Sequence, residues 1–134
     1  MTNKAHAYQV RDGVTTALEL EGGVPFIGDW IASKTGKSIV NFGATACHSV
    51  LRSMVMEQYQ PLIQKAQSVI SEEGFMSPKL MKLRINLMRA NYQSLNEVEL
   101  DDLKPRLMEE LGAGALGIGA VSYTHLTLPT IYSV

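Results

Sequence analysis

The ten residues DGVTTALELE, residues 12–21, decide how the chain is expected to fold. A short run of β-branched and apolar residues is typical of a strand. Residues two apart in a strand share a face, so Glu19 and Glu21 are expected to point the same way where the strand ends. Because a buried carboxylate is costly without a metal, a base or hydrogen-bond donors, these two acids are the first site candidates. The alternative is that both lie in an exposed loop after a short strand.

The sequence after this strand predicts a helix and then a second strand. Proline in the first turn and apolar residues at helical spacing predict a helix over residues 25–36, and the run at residues 38–45 predicts a strand. Two strands joined by a helix are normally parallel, and their carboxyl ends form the ligand-facing edge of the sheet. We therefore expect Glu19, Glu21 and His48 to lie at one edge.

Helical spacing dominates the middle of the chain. Residues 54–95 are predicted to form a helical insertion between strands, with Pro61 breaking or kinking the first helix and Pro78 in the first turn of the second. A shorter helix near residues 102–111 leads into ALGIGAV, the third predicted strand. The overall pattern is therefore α/β.

Composition limits the class of protein. The 134 residues are 46% hydrophobic and 19% charged, which is typical of one globular domain. A net charge of -1 gives no basic surface for nucleic acid or anionic lipid, and no apolar run approaches the roughly 20 residues of a membrane span. The single cysteine, Cys47, forms no intramolecular disulfide, and the polar start has no signal peptide, so we expect a cytoplasmic location.

Two motifs are weaker than they look. Gly112, Gly114 and Gly117 match GxGxxG, but that nucleotide-binding turn needs a strand before it and a helix after it, which is the reverse of the predicted order. Cys47 and His48 are adjacent, and neighbours on an extended segment point to opposite faces, so they do not suit a nucleophile and base pair. Cys47 is expected to be a small buried side chain.

Three segments together resemble a known superfamily. They are DGVTTALELEGGV, NFGATACHSVLR and LMEELGAGALGIG, and in order and spacing they are similar to the amidohydrolases, in particular N-acyl-D-amino-acid deacylases of the D-aminoacylase and D-glutamate types. The resemblance covers about residues 5–119, although GVTT alone is widespread among metal-dependent amidohydrolases. It implies a (β/α)₈ TIM barrel, of which residues 1–120 would supply about strands 2 to 4, with the active site at the strands' carboxyl ends.

The resemblance also implies a chemistry. It implies hydrolysis of the amide of an N-acyl-D-amino acid by a zinc ion that polarises the carbonyl and activates water. Gly22 stands where the family has a zinc-binding cysteine, so the metal role is carried to Glu21 first and Glu19 second. His48 is assigned a position near the substrate, and Arg52 a contact with the substrate carboxylate. No catalytic residue is assigned.

Much of the family's site has no counterpart in this sequence. The H-x-H pair, the later metal histidines and the catalytic aspartate are missing, so we expect an inactive barrel fragment that contains only part of the parent enzyme's site. Residues 121–134, which begin VSYTHLTLPT, resemble a translated sequencing adapter, and His125 is discarded with them; a genuine C-terminal strand is the alternative. Two other functions stay open: a cyclic-amide or dipeptide amidohydrolase, and a helix-rich interaction module without chemistry.

Overall fold

The computed structural model describes residues 3–120, which form six helices and three strands. In chain order these are α1 (Asn3–Arg11), β1 (Thr16–Val24), α2 (Ile27–Lys34), β2 (Asn41–Cys47), α3 (His48–Val55), α4 (Gln60–Glu73), α5 (Pro78–Leu87), α6 (Glu97–Gly112) and β3 (Ile118–Gly119). Two single-turn 3₁₀ helices, Glu57–Tyr59 and Met88–Tyr92, precede α4 and follow α5. The predicted adapter-like tail, with His125, lies outside the described residues.

The three strands form one parallel sheet in the order β1-β2-β3. The predicted strand-helix-strand unit is confirmed, because α2 connects the parallel strands β1 and β2. The predicted partial (β/α)₈ barrel is wrong: within residues 3–120 the sheet has only three strands, and β3 has two residues. The misleading signal has a physical cause, since a GVTT strand and a crossover helix suit any small parallel sheet.

A local irregularity at the end of β1 changes which side chains share a face. Glu19 pairs with Ala44 and Val24 pairs with Ala46. Between these two pairs β1 advances by five residues while β2 advances by two. Gly23 lies in this segment with φ 65, and a Cβ there would come within 2.7 Å of the Ala46 backbone. A glycine is therefore needed where β1 passes close to β2.

Two apolar clusters hold the elements together. The larger cluster lies among the helices, and its fully buried centre includes Val50, Met56, Leu87 and Ala90. The smaller cluster, Val24, Ile27 and Ala44, packs α2 on one face of the sheet. Pro61 was expected to break or kink a helix, but α3 ends before it at Val55, and Pro61 lies in the first turn of α4, where its missing N–H costs nothing.

Caps at the helix ends explain where α5 and α6 begin. Ser77 Oγ accepts a hydrogen bond from the Lys79 N–H, and Pro78 opens α5 as predicted. Asn96 and Glu99 form a reciprocal capping box, so α6 begins earlier than the sequence indicates. In the described part of the chain, no helix is long and apolar enough to cross a membrane, and the predicted cytoplasmic location stays a prediction.

Candidate functional site

A cavity of about 270 Å³ lies at the carboxyl ends of the three strands, the edge at which the sequence predicts a ligand site. We call it the edge cavity. Each strand contributes one residue to its wall: Gly22 from β1, Cys47 from β2 and Gly119 from β3. Residues from α3, α5 and the 3₁₀ turn after α5 form the other sides. The lining residues are Gly22, Cys47, His48, Ser49, Met81, Arg84, Ile85, Met88, Asn91, Gly119 and Ala120.

His48 is the one predicted site residue that lines the edge cavity. It is half-buried and is the first residue of α3, directly after β2. Burial, followed by the positive charge of Arg52, lowers the pKa of His48 below 6.5, which favours the neutral imidazole at neutral pH. A neutral imidazole offers one donor and one acceptor to a ligand.

Cys47 and His48 both line the edge cavity without forming a nucleophile and base pair. Cys47 is 4% exposed, and its Sγ lies 3.2 Å from Ser49 Oγ. Among the described residues, Cys47 forms no hydrogen bond with His48. These observations agree with the sequence interpretation of Cys47 as a small buried side chain.

Arg84 and Asn91 are site residues that the sequence analysis missed. Arg84 Nη2 donates a 2.8 Å hydrogen bond to the carbonyl oxygen of Gly23, which places a guanidinium in the cavity wall. The side-chain Oδ1 of Asn91 is buried and has no hydrogen-bond partner among the described residues. No sequence pattern singles out Arg84, because α5 also contains Lys79, Lys82 and Asn86.

Arg52 has a different set of contacts from the one expected. Its Nε donates to the Ala90 carbonyl oxygen at 3.1 Å, and its Nη2 donates to the carbonyl oxygen of Gln93. Arg52 does not line the edge cavity. These bonds hold the 3₁₀ turn that carries Asn91, so Arg52 positions the cavity wall, and its contact with a substrate stays a prediction.

The two predicted metal ligands, Glu19 and Glu21, do not line the edge cavity with His48. Glu19 is half-buried and lines a second cavity, whereas Glu21 is exposed and lines neither. The irregular pairing after Glu19 removes the simple alternation that placed both acids together. Within residues 3–120 there is no group of three or more His, Cys, Asp or Glu side chains that could hold a metal. The donors described therefore do not fit the zinc site that the resemblance implies.

The second cavity measures about 420 Å³ and lies against α2, so we call it the α2 cavity. Its wall includes Trp30 and Phe42, whose rings pack edge to face with centroids 5.5 Å apart. His6 from α1 also lines it, is 2% exposed, and has no hydrogen-bond partner at either ring nitrogen. The polar sequence around His6 does not indicate this burial.

Arg84 and Met81 line both cavities and so form the wall between them. Comparison of the chain with protein-family models, with curated proteins and with solved structures found no match. The resemblance to amidohydrolases therefore stays a prediction, and the two cavities are the features of the structure that bear on function.

Proposed function

We propose that the chain binds an N-acyl amino acid in the edge cavity. It would be the substrate-binding part of an enzyme that hydrolyses the amide bond. The observation that carries the proposal is the edge cavity itself, where the neutral His48, the Arg84 guanidinium and the buried Asn91 Oδ1 face one space. Its position at the carboxyl ends of parallel strands is the usual place for a ligand in this class of sheet.

The polar groups match the polar parts of such a molecule. Arg84 has further N–H donors besides the one bonded to Gly23, and a guanidinium suits a carboxylate geometrically. Asn91 Oδ1 is a buried acceptor without a donor, which an amide N–H would satisfy. His48 can donate to or accept from the acyl carbonyl region, because its imidazole has both functions when neutral.

The apolar part of the cavity matches an acyl chain. Met81, Ile85 and Met88 lie on one side of α5 and its continuation, and all three line the cavity. Leu80, Leu83 and Leu87, also on α5, are instead buried in the larger apolar cluster. Methionine adapts its shape to irregular ligands, which suits acyl groups of different length. A volume of about 270 Å³ is slightly below the roughly 300 to 1,000 Å³ of drug-sized pockets and favours a small molecule.

No catalytic step is assigned to a metal. Because the described residues contain no group of three metal donors, we expect binding without turnover from this chain by itself. Release of free amino acid from N-acetyl-D-glutamate by the purified chain supplied with zinc would contradict that expectation.

The binding test is a calorimetric titration of the chain with N-acetyl-D-glutamate and N-acetyl-D-leucine. Asn91→Leu removes the buried acceptor at nearly constant size and is expected to weaken binding about tenfold, the equivalent of about 1.4 kcal/mol. Asn86→Leu is the matched control, because Asn86 is exposed on α5 and lines neither cavity. Absence of saturable binding, or equal affinities in the two variants, would overturn the proposal.

A further inference from the structure

The α2 cavity contains more unmet hydrogen-bonding capacity than the edge cavity. His6 is buried with both ring nitrogens unpartnered, and the half-buried side chain of Glu19 makes no hydrogen bond or ion pair with the described residues. A buried polar group without a partner costs free energy because it has lost its hydrogen bonds to water. The two unpartnered ring nitrogens of His6, with the Glu19 carboxylate in the wall of the same cavity, point to a ligand that supplies hydrogen-bond partners.

The charges around the cavity restrict the kind of ligand. Lys34 and Arg84 are positive and Glu19 is negative, while burial, followed by the charge of Lys34, lowers the pKa of His6 and favours its neutral form. No ion pair joins Glu19 to Arg84 in the described structure. An anionic group on the ligand would therefore meet the cations, and a positive group would meet Glu19.

The uncharged wall defines the rest of the ligand. Trp30 and Phe42 present two nearly perpendicular rings, and Phe75 and Leu80 add further apolar surface to the wall. Lys34 Nζ lies 5.7 Å from the centre of the Trp30 ring, so a positive charge borders the aromatic wall. A cavity of about 420 Å³ with a mainly apolar wall and a few polar groups is typical of a small-molecule site.

We propose that the α2 cavity binds a free α-amino acid with an apolar or aromatic side chain. The ammonium group pairs with Glu19, the carboxylate lies towards Arg84 and the His6 imidazole, and the side chain packs on Trp30 and Phe42. This site is separate from the one proposed for N-acyl amino acids, because an acylated nitrogen carries no charge for Glu19 to pair with. Arg84 lies in the wall of both cavities. Its guanidinium has several N–H donors, so different N–H groups can donate to the ligand in each cavity.

The chain offers a direct optical probe, because Trp30 is its only tryptophan. Titration with D- and L-phenylalanine is expected to change the Trp30 emission in a saturable way for at least one enantiomer. N-acetylphenylalanine and phenethylamine, which lack the ammonium and the carboxylate respectively, are each expected to bind at least tenfold more weakly at this site. Equal affinity of either analogue would overturn the proposal, as would the absence of any saturable change.

Two variants test the residues. Glu19→Gln is expected to weaken phenylalanine binding about tenfold, whereas Glu21→Gln, an exposed acid on the same strand, leaves it unchanged. His6→Phe, which replaces the imidazole with an apolar ring, is also expected to lower the affinity. Thermal melting of each variant confirms that it is folded. Unchanged affinity in a folded Glu19→Gln chain would contradict the assignment.

A second readout separates this site from the edge cavity. Met76 lines only the α2 cavity, and Met88 lines only the edge cavity. With methyl-labelled methionine, free phenylalanine is expected to shift the Met76 signal and leave Met88 unchanged. A shift at Met88 alone would place the free amino acid in the edge cavity and overturn the proposal, whatever the result with N-acyl amino acids.

Discussion

Arg84 Nη2 donates a 2.8 Å hydrogen bond to the carbonyl oxygen of Gly23, which joins α5 to the irregular end of β1 across 61 residues of sequence. The bond lies where the edge cavity and the α2 cavity meet, because Arg84 lines both. The geometry of either cavity therefore depends on the contact between the helical part of the chain and the sheet.

Loss of the Arg84 side chain is expected to destabilise the fold. Arg84→Met removes a charge-assisted bond to a buried carbonyl oxygen, with an expected loss of about 1.5 to 3 kcal/mol in the free energy of unfolding. Arg89→Met is the control, because Arg89 is exposed and lines neither cavity. Urea denaturation measures both. Equal midpoints for the two variants would show that the bond to Gly23 contributes nothing.

Gly23 is expected to be much less tolerant of substitution than Gly36. Both have positive φ, 65 and 72, so alanine costs about 1 to 2 kcal/mol of backbone strain at either position. At Gly23 a Cβ would also come within 2.7 Å of the Ala46 backbone, whereas at Gly36 nothing lies within 4 Å. The clash should add about 1 to 3 kcal/mol to Gly23→Ala. Comparable losses in thermal melting would contradict the close approach of the two strands.

Glu110 caps α2 from a distant helix. Its Oε2 accepts a 2.8 Å hydrogen bond from the backbone N–H of Ile27, where Phe26 provides no side-chain cap. Glu110→Ala is expected to cost about 1 kcal/mol, as for the loss of an N-cap. Glu110→Gln keeps an acceptor and should lose much less. Glu109→Gln, an exposed neighbour, should change stability by less than about 0.5 kcal/mol.

The same residue predicts a pH dependence. Burial raises the pKa of Glu110 above 4.5, and the nearby charges of Asp29 and Glu109 raise it further, against the lowering effect of the Ile27 N–H. A raised folded-state pKa means that the folded chain binds the proton more tightly, so this contribution is fully present below pH 4.5 and is lost as pH rises through the folded value. Relative to Glu110→Gln, the parent chain should therefore gain stability as pH falls. If the difference in stability between the parent chain and Glu110→Gln does not change with pH, the carboxyl group of Glu110 is not buried as described.

His6 and His48 predict a change of the opposite sign. Burial is the first cause that lowers the pKa of each below 6.5, so the unfolded chain takes up protons before the folded chain does. Their contribution is present above pH 6.5 and is lost as pH falls through the folded values. The double variant His6→Gln with His48→Gln is expected to show a smaller fall in melting temperature between about pH 7.5 and 5.5. If that fall is as steep as in the parent chain, the two imidazoles are not buried as described.

Much of the fold follows from local sequence signals. The predicted first strand, the helix after Pro25 and the second strand are found within a few residues of the expected bounds, because turn glycines and apolar spacing are local. The barrel prediction failed because closure of a sheet depends on strands elsewhere in the chain, which local patterns do not report. Helix α1 was missed because its residues, NKAHAYQVR, are mostly polar and show no apolar helical spacing.

The candidate site was less predictable than the fold. The position of His48 at the strand edge follows from the end of β2, and the structure places it in the edge cavity. The separation of Glu19 from Glu21 depends on the irregular pairing after Glu19, and no residue pattern predicts that irregularity. Arg52 and Arg84 have the same charge on neighbouring helices, and only the tertiary packing decides which of them lines a cavity.

Binding of an N-acyl amino acid in the edge cavity is tested most directly by the methionine methyl signals of the labelled chain. On addition of N-acetyl-D-glutamate we expect saturable shifts of Met81 and Met88, which line that cavity, and none of Met108, an exposed residue of α6 that lines neither cavity. Signals that stay unchanged at Met88, or that move equally at Met108, would contradict the account.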